Sequence, residues 1–286
     1  MPRSPSEALA AGLAALEGTQ EADGGFPLWQ CRPPGPWQRC GALFSTACIV
    51  LAAQELLSRP CLDWAVAFIR QQRRPDGLWE YDPALGLPPD SDCTACALAA
   101  LACCGAEIDT DRGTALLRSF WRADSGPFRT WRGEGTWAQR DSDDPIVNCN
   151  IVYALATLGA PASAPELEAV SRLVRGSEQG SRYYATPAAI AYAARRAGLP
   201  PDLLPPAASA TPPARYVLAA MQWLCGMRRH DAELMNAVLA AQRPDGSWPP
   251  RPWCRNIEGG VWGSPAVTTA LAVEMLQIHA TDAWEP

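Results

Sequence analysis

Two aspartates stand at the start of one apolar segment, in surroundings that are unusually polar for that position. The sequence reads Asp90-Ser91-Asp92-Cys93-Thr94 and continues into a run of alanine, cysteine and leucine. An aspartate at such a point is usually a helix N-cap, but a cap needs only one carboxylate. Burial would keep the other as a neutral acid, and the helix N-terminus would stabilise the carboxylate left after proton transfer. The cluster therefore predicts that one of the two aspartates caps the helix and that the other has a chemical role, as a buried acid.

A second acidic run, Asp141-Ser142-Asp143-Asp144, precedes another apolar segment. Pro145 follows it directly, and proline in the first turn is typical of an ordinary helix start. We therefore interpret this run as structural. Asp143 and Asp144 are nevertheless the alternative acid, because they would project from a neighbouring helix toward the same pocket.

Both acidic runs lie in a sequence pattern that is repeated along the chain. An amphipathic segment ends at a glycine turn, an aromatic residue follows, and a loop leads into an almost wholly apolar segment. The clearest turns are Asp23-Gly-Gly-Phe-Pro-Leu-Trp29, Asp76-Gly-Leu-Trp79 and Asp245-Gly-Ser-Trp248. Helices that are apolar on every side are buried, whereas one-sided helices face water. The repeat predicts an inner ring of helices inside an outer ring.

The predicted fold is therefore all-α, an (α/α)6 toroid formed by residues 1–286 as a single domain. No alternating pattern predicts a competing sheet, and the proline-rich stretch 199–213 predicts a very short outer helix. The six predicted inner helices are Leu43–Leu57, Asp92–Cys104, Ile146–Leu158, Thr186–Ala197, Pro213–Cys225 and Pro265–Ile278.

In such a ring every inner helix begins at the same end, so the first turns and the loops before them surround one pocket. Aromatic residues are frequent in these loops, and aromatic faces attract cations. A tryptophan in a repeated turn can equally clamp two helices together, and we expect both roles. The predicted pocket aromatics are Tyr81, Trp37, Trp79, Trp137, Trp253 and Trp262.

Composition excludes several classes of function. The net charge of −6 argues against nucleic-acid binding. All 24 basic residues are arginine, which excludes a Schiff-base or P-loop lysine. Several cysteines fall in apolar segments, as small buried hydrophobes do, and the N-terminus has no apolar signal core. These features predict a reduced, cytoplasmic protein without a transmembrane segment. His230 and His279 are far apart in sequence, so no metal site is predicted.

Asp90-Ser-Asp92-Cys93-Thr94-Ala, placed after a Gly-Trp turn, resembles the acid motif of class II terpene cyclases, the squalene–hopene and oxidosqualene cyclases. The resemblance implies that Asp92 is the proton donor that starts cyclisation of an isoprenoid alkene or epoxide. Asp90 is then the helix cap, and Asp90 and Cys93 tune the acid. Cys93 matches the oxidosqualene type, which implies a second supporting cysteine at Cys149. Asn150 stands where the hopene type has a histidine, and is assigned to the pocket.

The resemblance further implies a small isoprenoid or prenylated substrate and no cofactor, with magnesium only if the substrate carries a diphosphate. Arg32, Arg39 and Arg255 could hold such a diphosphate. Peripheral membrane contact is compatible with such a substrate. A pocket closed by one domain favours a shorter isoprenoid than squalene. The alternatives are a relative of the prenyltransferase β-subunit, a non-catalytic isoprenoid-binding module, and an α/α-toroid glycosidase, which would need a second carboxylate at working distance.

Overall fold

The computed structural model describes residues 3–32, 35–82, 86–122, 126–132, 143–256 and 259–281. Six almost wholly buried helices alternate with helices that have one exposed face. The buried helices are α2 (Leu43–Ala53), α4 (Ser91–Cys103), α6 (Pro145–Thr157), α8 (Ala188–Arg196), α10 (Val217–Met227) and α12 (Pro265–Ala280). The outer helices are α1 (Pro5–Glu17), α3 (Arg59–Gln71), α5 (Thr110–Arg118), α7 (Ala164–Arg175), α9 (Pro206–Ser209) and α11 (Ala232–Ala240).

The buried helices form a closed ring. Each contacts the next in chain order, and α12 returns to contact α2. Outer helices pack against the inner ones: α3 contacts α2 and α4, α5 contacts α4 and α6, and α9 contacts α8 and α10. Helix α1 packs against α12, which joins the first and last helices of the ring. The predicted α/α toroid is confirmed.

Small residues allow neighbouring inner helices to approach closely. Gly226 of α10 lies against the backbone of α8, where a Cβ atom would come within 2.5 Å of the Ala191 carbonyl carbon. Real Cβ atoms do not approach a backbone atom so closely, because interiors are packed at crystal density. Glycine at this position therefore sets the spacing between α8 and α10.

The repeated aromatic turns attach outer to inner helices by one recurring hydrogen bond. A backbone N–H in the turn donates to a polar side chain in the first turns of the next inner helix. The pairs are Phe26 to Thr46 at 2.8 Å, Trp79 to Thr94 at 3.2 Å, Phe128 to Asn148 at 2.8 Å and Trp248 to Thr269 at 3.0 Å. The sequence repeat thus reflects a repeated tie between two helices.

A small antiparallel sheet, which the sequence analysis did not predict, lies in the loops that precede α2 and α12. Its strands are β1 (Leu28–Cys31), β2 (Gln38–Cys40), β3 (Cys254–Arg255) and β4 (Val261–Gly263), in the order β2-β1-β4-β3. Strands of two to four residues are too short to show alternation. The sheet joins the first and last inner-helix loops and so closes the ring at this end.

Two predicted inner-helix bounds differ from the structure by several residues. Helix α2 ends at Ala53, four residues before the predicted Leu57. Helix α10 begins at Val217 because the preceding residues form a turn, in which the Tyr216 N–H donates to the Pro213 carbonyl at 2.9 Å. Among the described residues, no helix has both the length and the apolar composition needed to cross a membrane.

Candidate active site

Asp92 lies in the first turn of α4, 7% exposed, with both carboxyl oxygens in use. The Asn150 side chain of α6 donates to Oδ1 at 2.8 Å. The Tyr184 hydroxyl donates to Oδ2 at 2.7 Å. The carboxyl group is therefore fixed by donors from two other segments of the ring, while it still faces the central cavity.

Burial raises the pKa of Asp92 to about 7. The hydrogen bond from Asn150 opposes that shift, the charge of Asp90 reinforces it, and the hydrogen bond from Tyr184 opposes it. The two donors act on the charged form and therefore stabilise the carboxylate that remains once the proton has left. Asp92 thus combines a protonated state near neutral pH with a prepared site for its conjugate base.

Asp90 caps α4, as predicted. Its Oδ1 accepts a hydrogen bond from the Cys93 N–H at 2.7 Å. Burial raises the pKa of Asp90 to about 6, against the effect of the hydrogen bonds from Cys93. Within the described part of the chain, Oδ2 of Asp90 has no hydrogen-bond partner, although it is buried. Asp90 therefore adds negative potential beside Asp92 as well as starting the helix.

The cysteine support of the acid differs from the prediction. Cys149 is fully buried in α6, and among the described residues no hydrogen bond joins it to Asp92. The next residue of that helix, Asn150, makes the contact instead. The thiol of Cys96 lies close to this carboxyl group, with Sγ 4.0 Å from Asp92 Oδ1. Cys93 lines the cavity beside the two aspartates.

Tyr184 was not predicted, and it reaches Asp92 from the turn before α8. The hydroxyl of Ser181 organises this turn by accepting the N–H groups of Tyr183 at 3.1 Å and Tyr184 at 3.0 Å. Ser181 in turn donates to Asp144 Oδ2 at 2.6 Å. The sequence does carry a signal at residues 179–183, where Gly180 and Tyr183 form a weaker copy of the repeated glycine-aromatic turn. A turn at that point leads to the pocket end of α8.

Asp144 is a structural residue in this arrangement. It caps α6 by accepting the N–H groups of Ile146 at 2.9 Å and Val147 at 3.3 Å through Oδ1. Its Oδ2 accepts from Ser181 and from the Arg182 N–H at 2.9 Å. Asp143, the other residue of the alternative acid, forms an ion pair with Arg122. Neither lines the cavity.

Replacing Asp144 with alanine should destabilise the fold, because it removes a helix cap and frees the turn that carries Tyr184. We expect the free energy of unfolding to fall by about 2–3 kcal/mol, measured by denaturant unfolding. Asp143→Ala is the matched control and should change it by less than about 1 kcal/mol, since its ion pair is partly exposed. Equal losses in the two variants would contradict this assignment.

The central cavity has a volume of about 390 Å³ and extends from the two buried aspartates to exposed residues. Phe44, Tyr81 and Trp262 form an aromatic wall, with Tyr81 5.8 Å from Phe44 and 6.2 Å from Trp262 between ring centroids. Trp253 stacks on Phe44 at 5.1 Å but, contrary to the prediction, does not line this cavity. Trp131, which was not predicted, lines the cavity together with Tyr183, to whose hydroxyl its indole N–H donates at 3.0 Å.

The structure corrects two further predicted pocket aromatics. The Trp79 side chain is fully buried away from the cavity, and its indole N–H donates to the Ile69 carbonyl at 2.8 Å, so it clamps α3 to α4. Trp37 is half-buried just before β2 and does not line the cavity. Trp137 lies outside the described residues.

A second, smaller cavity lies behind the acid's partners, on the axis of the ring. It has a volume of about 30 Å³, which is room for about two water molecules. Asn150, Tyr184 and Cys96 line its near side, and Gln222 and Arg196 line its far side. Tyr184, one of the two groups that hold Asp92, therefore lines both this mainly apolar cavity and the larger central one, and Asn150 lines this one.

Within the described residues, no three His, Cys, Asp or Glu side chains come together in an arrangement that could hold a metal ion. The structure does bring His230 and His279 together, with ring centroids 5.5 Å apart. They lie before α11 and in the last turn of α12, at the end of the ring opposite the aspartates.

No protein-family model matches the chain, and no curated protein matches its sequence. Solved structures do match. Type II terpene cyclase MstE from Scytonema superposes with a TM-score of 0.70 at 18% identity, covering 96% of this chain and 97% of that one. A variant of it, in complex with the substrate geranylgeranyl dihydroxybenzoate, gives 0.72 at 18% identity over 97% and 98%.

A more distant match is ent-copalyl diphosphate synthase from Streptomyces platensis. It has a TM-score of 0.56 and 18% identity over 83% of this chain and 50% of that one. This chain and MstE superpose over nearly their whole lengths, so the two proteins share the ring of paired helices. The chain has the α/α-toroid fold of the type II terpene cyclases.

Proposed function

We propose that this protein is an acid-initiated cyclase that protonates an alkene or epoxide of an isoprenoid substrate and guides ring closure. The observation that carries the proposal is the state of Asp92, a buried acid whose pKa is raised to about 7 and whose conjugate base has two donors in place. Its proton forms the first C–H or O–H bond, and the resulting carboxylate keeps both hydrogen bonds. Preorganised donors stabilise charge as it develops.

The aromatic wall supports the second requirement, a carbocation that survives until the rings have closed. Tyr81, Trp262 and Phe44 present π faces or edges to the cavity beside the acid. Aromatic faces attract a cation by about 0.5–2 kcal/mol each without acting as strong nucleophiles. Together they make the cavity suited to a cation that migrates along an apolar chain.

The cavity volume favours a shorter chain than squalene. About 390 Å³ lies at the lower end of the range for small-molecule sites. The structural neighbour MstE was solved with geranylgeranyl dihydroxybenzoate as its substrate. We therefore propose a prenylated small molecule or a free isoprenoid of farnesyl to geranylgeranyl length as the substrate.

The test is incubation with farnesyl, geranylgeranyl, squalene and oxidosqualene-type substrates, followed by mass spectrometry of the products. We expect cyclised products from the shorter chains, isomeric with the substrate when a proton is lost at the end. Conversion of squalene-length substrates alone would refute the proposed size. Binding of these substrates without conversion of any would favour the alternative of a non-catalytic isoprenoid-binding module.

Tyr184→Phe should move the pH dependence of turnover. Activity requires neutral Asp92, so the wild-type rate should be constant at low pH and fall as pH rises through about 7. The Tyr184 hydroxyl lowers the pKa of Asp92, so its loss should move this midpoint upward by about one pH unit. The measurement is kcat as a function of pH.

Tyr183→Phe is the matched control, because it removes the neighbouring hydroxyl, which accepts from Trp131 at 3.0 Å. Its midpoint should equal that of the wild type, whatever its effect on substrate binding. A downward shift in Tyr184→Phe, or equal shifts in the two variants, would contradict the assigned role of Tyr184.

A further inference from the structure

We propose that Trp253 is the end stop for the substrate chain and thereby determines which double bond of the chain reaches Asp92. The proposal rests on the proposed function, since it concerns the position of the same isoprenoid chain in the central cavity. The smaller cavity lies beyond the buried end of the central one. Residues from all six inner helices line it, which places it on the axis of the ring.

The two cavities follow one another along the inner helices. On α4, Asp92 and Cys93 line the central cavity, and Cys96, one turn further along, lines the smaller one. On α2, Phe44 lines the central cavity, and Cys48, one turn further along, lines the smaller one. One helical turn rises by about 5.4 Å, which is close to the length of one isoprene unit. A chain that passed from the central into the smaller cavity would therefore advance by one such unit.

Trp253 lies at the boundary between the two cavities. Its side chain lines the smaller cavity and not the central one. It stacks on Phe44 with ring centroids 5.1 Å apart and meets the Tyr184 ring edge-on at 6.0 Å. Phe44 and Tyr184 are both buried, and both line the central cavity. The indole therefore supports from behind the two rings that close the buried end of the central cavity.

The backbone of Trp253 fixes the indole in this position. Its N–H donates to the Trp262 carbonyl at 2.7 Å, and its carbonyl accepts from the Ala185 N–H at 3.0 Å. Trp262 belongs to strand β4, and Ala185 belongs to the turn that carries Tyr184. Trp253 is thus held between the small sheet and the segment that binds the acid, so a chain that enters from the mouth meets a fixed end stop.

The space behind the end stop suits a hydrocarbon. Ile49, Ile146, Val267 and Leu271 line it together with several alanines. Its volume of about 30 Å³ has room for about two water molecules, so an isoprene unit fits there only when the indole is removed. With Trp253 in place, the chain stops with its terminal double bond beside Asp92, and the proton is delivered to that bond.

Trp253→Ala should let the chain advance by one unit, so that its second double bond lies beside Asp92. The proton of Asp92 then forms a C–H bond at that double bond, and the next double bond toward the head closes a ring on the tertiary cation. Loss of a proton to solvent water completes an isomer of the substrate in which the terminal double bond is intact. This product has one ring fewer than the wild-type product, and NMR of the isolated product counts the rings.

A binding experiment tests the end stop without turnover, in the Asp92→Asn protein, so that no ligand is consumed. The probes are farnesol, geranylgeraniol and geranylfarnesol, which differ by one isoprene unit each, and the method is equilibrium dialysis. Affinity should rise with chain length only until the chain fills the cavity. Trp253→Ala should move this limit up by one unit, with a gain of about tenfold or more for the added unit, because that unit is buried in the opened cavity.

Leu271→Ala is the matched control, because Leu271 lines the smaller cavity and not the central one. It enlarges the space behind the end stop and also removes buried packing, but it leaves the indole in place. It should therefore keep the wild-type limit and the wild-type number of rings. Trp253→Phe retains a ring against Phe44 and should behave in the same way. If Trp253→Ala does not fold, Trp253→Leu replaces it, with a smaller change in the same direction.

An unchanged limit in Trp253→Ala, an equal change in Leu271→Ala, or an unchanged number of rings in the product would overturn the proposal. These outcomes are separable from failure of the proposed function. If the limit moves by one unit but the wild-type protein converts no substrate, the end stop stands and the cyclase proposal fails. If the wild-type protein cyclises its substrate while Trp253→Ala changes neither limit nor product, the cyclase proposal stands and the end stop fails.

Discussion

Replacing Asp92 with asparagine is expected to lower the rate of cyclisation by about 10⁴-fold, because asparagine has no proton of comparable acidity to donate. The substitution keeps the size of the side chain, and its oxygen can still accept the hydrogen bond that Asn150 makes to Asp92 Oδ1. Binding of substrate should therefore change much less than turnover. The measurement is kcat and KM with whichever substrate of the panel is converted, together with direct binding of that substrate.

Asp143→Asn is the control for this experiment, since Asp143 belongs to the alternative acid motif and is paired with Arg122 away from the cavity. Its kcat should stay within about twofold of wild type, as is usual for changes remote from the reacting atoms. If Asp92→Asn remained active while Asp143→Asn did not, the acid would have to be assigned to the second run.

The fold could be predicted from the sequence because its signal is repeated. Each apolar segment that follows a Gly-aromatic turn was predicted to be a buried inner helix. An error at one helix end therefore did not change the predicted number of inner helices. What the repeat could not predict was the small sheet. Its strands pair β1 with β4 across 230 residues of chain, and pairing at that distance leaves no local pattern in the sequence.

The sequence could mark the two aspartates as a candidate site because an i, i+2 pair of carboxylates exceeds what a cap requires. It could not predict the hydrogen-bond partners of Asp92. Adjacent helical residues point about 100° apart, so a motif that correctly places α6 beside α4 can still assign the contact to Cys149 rather than Asn150. Tyr184 depends on the path of the turn at 181–184, which Ser181 and Asp144 set through side-chain hydrogen bonds. Such paths are decided by tertiary contacts.

The same substitution, Asp92→Asn, should stabilise the fold at alkaline pH. Asp92 has a pKa of about 7 when folded and about 3.9 when unfolded, so the unfolded state releases this proton at lower pH. Wild-type stability should consequently fall as pH rises from about 4 to 7, by about 4 kcal/mol at most. Asparagine is neutral at every pH and lacks this loss.

Asp92→Asn is therefore expected to raise the free energy of unfolding by about 4 kcal/mol at pH 8 and by about 1.5 kcal/mol at pH 5. Denaturant unfolding at both pH values measures this increase. Asp143→Asn should show no gain that grows with pH, because that carboxylate is partly exposed and already paired. If the difference in the free energy of unfolding between Asp92→Asn and the wild type stayed constant or became smaller as pH rises, Asp92 would have to be ionised in the folded protein. An ionised Asp92 could not start the proposed reaction, so this unfolding experiment tests the mechanism without any substrate.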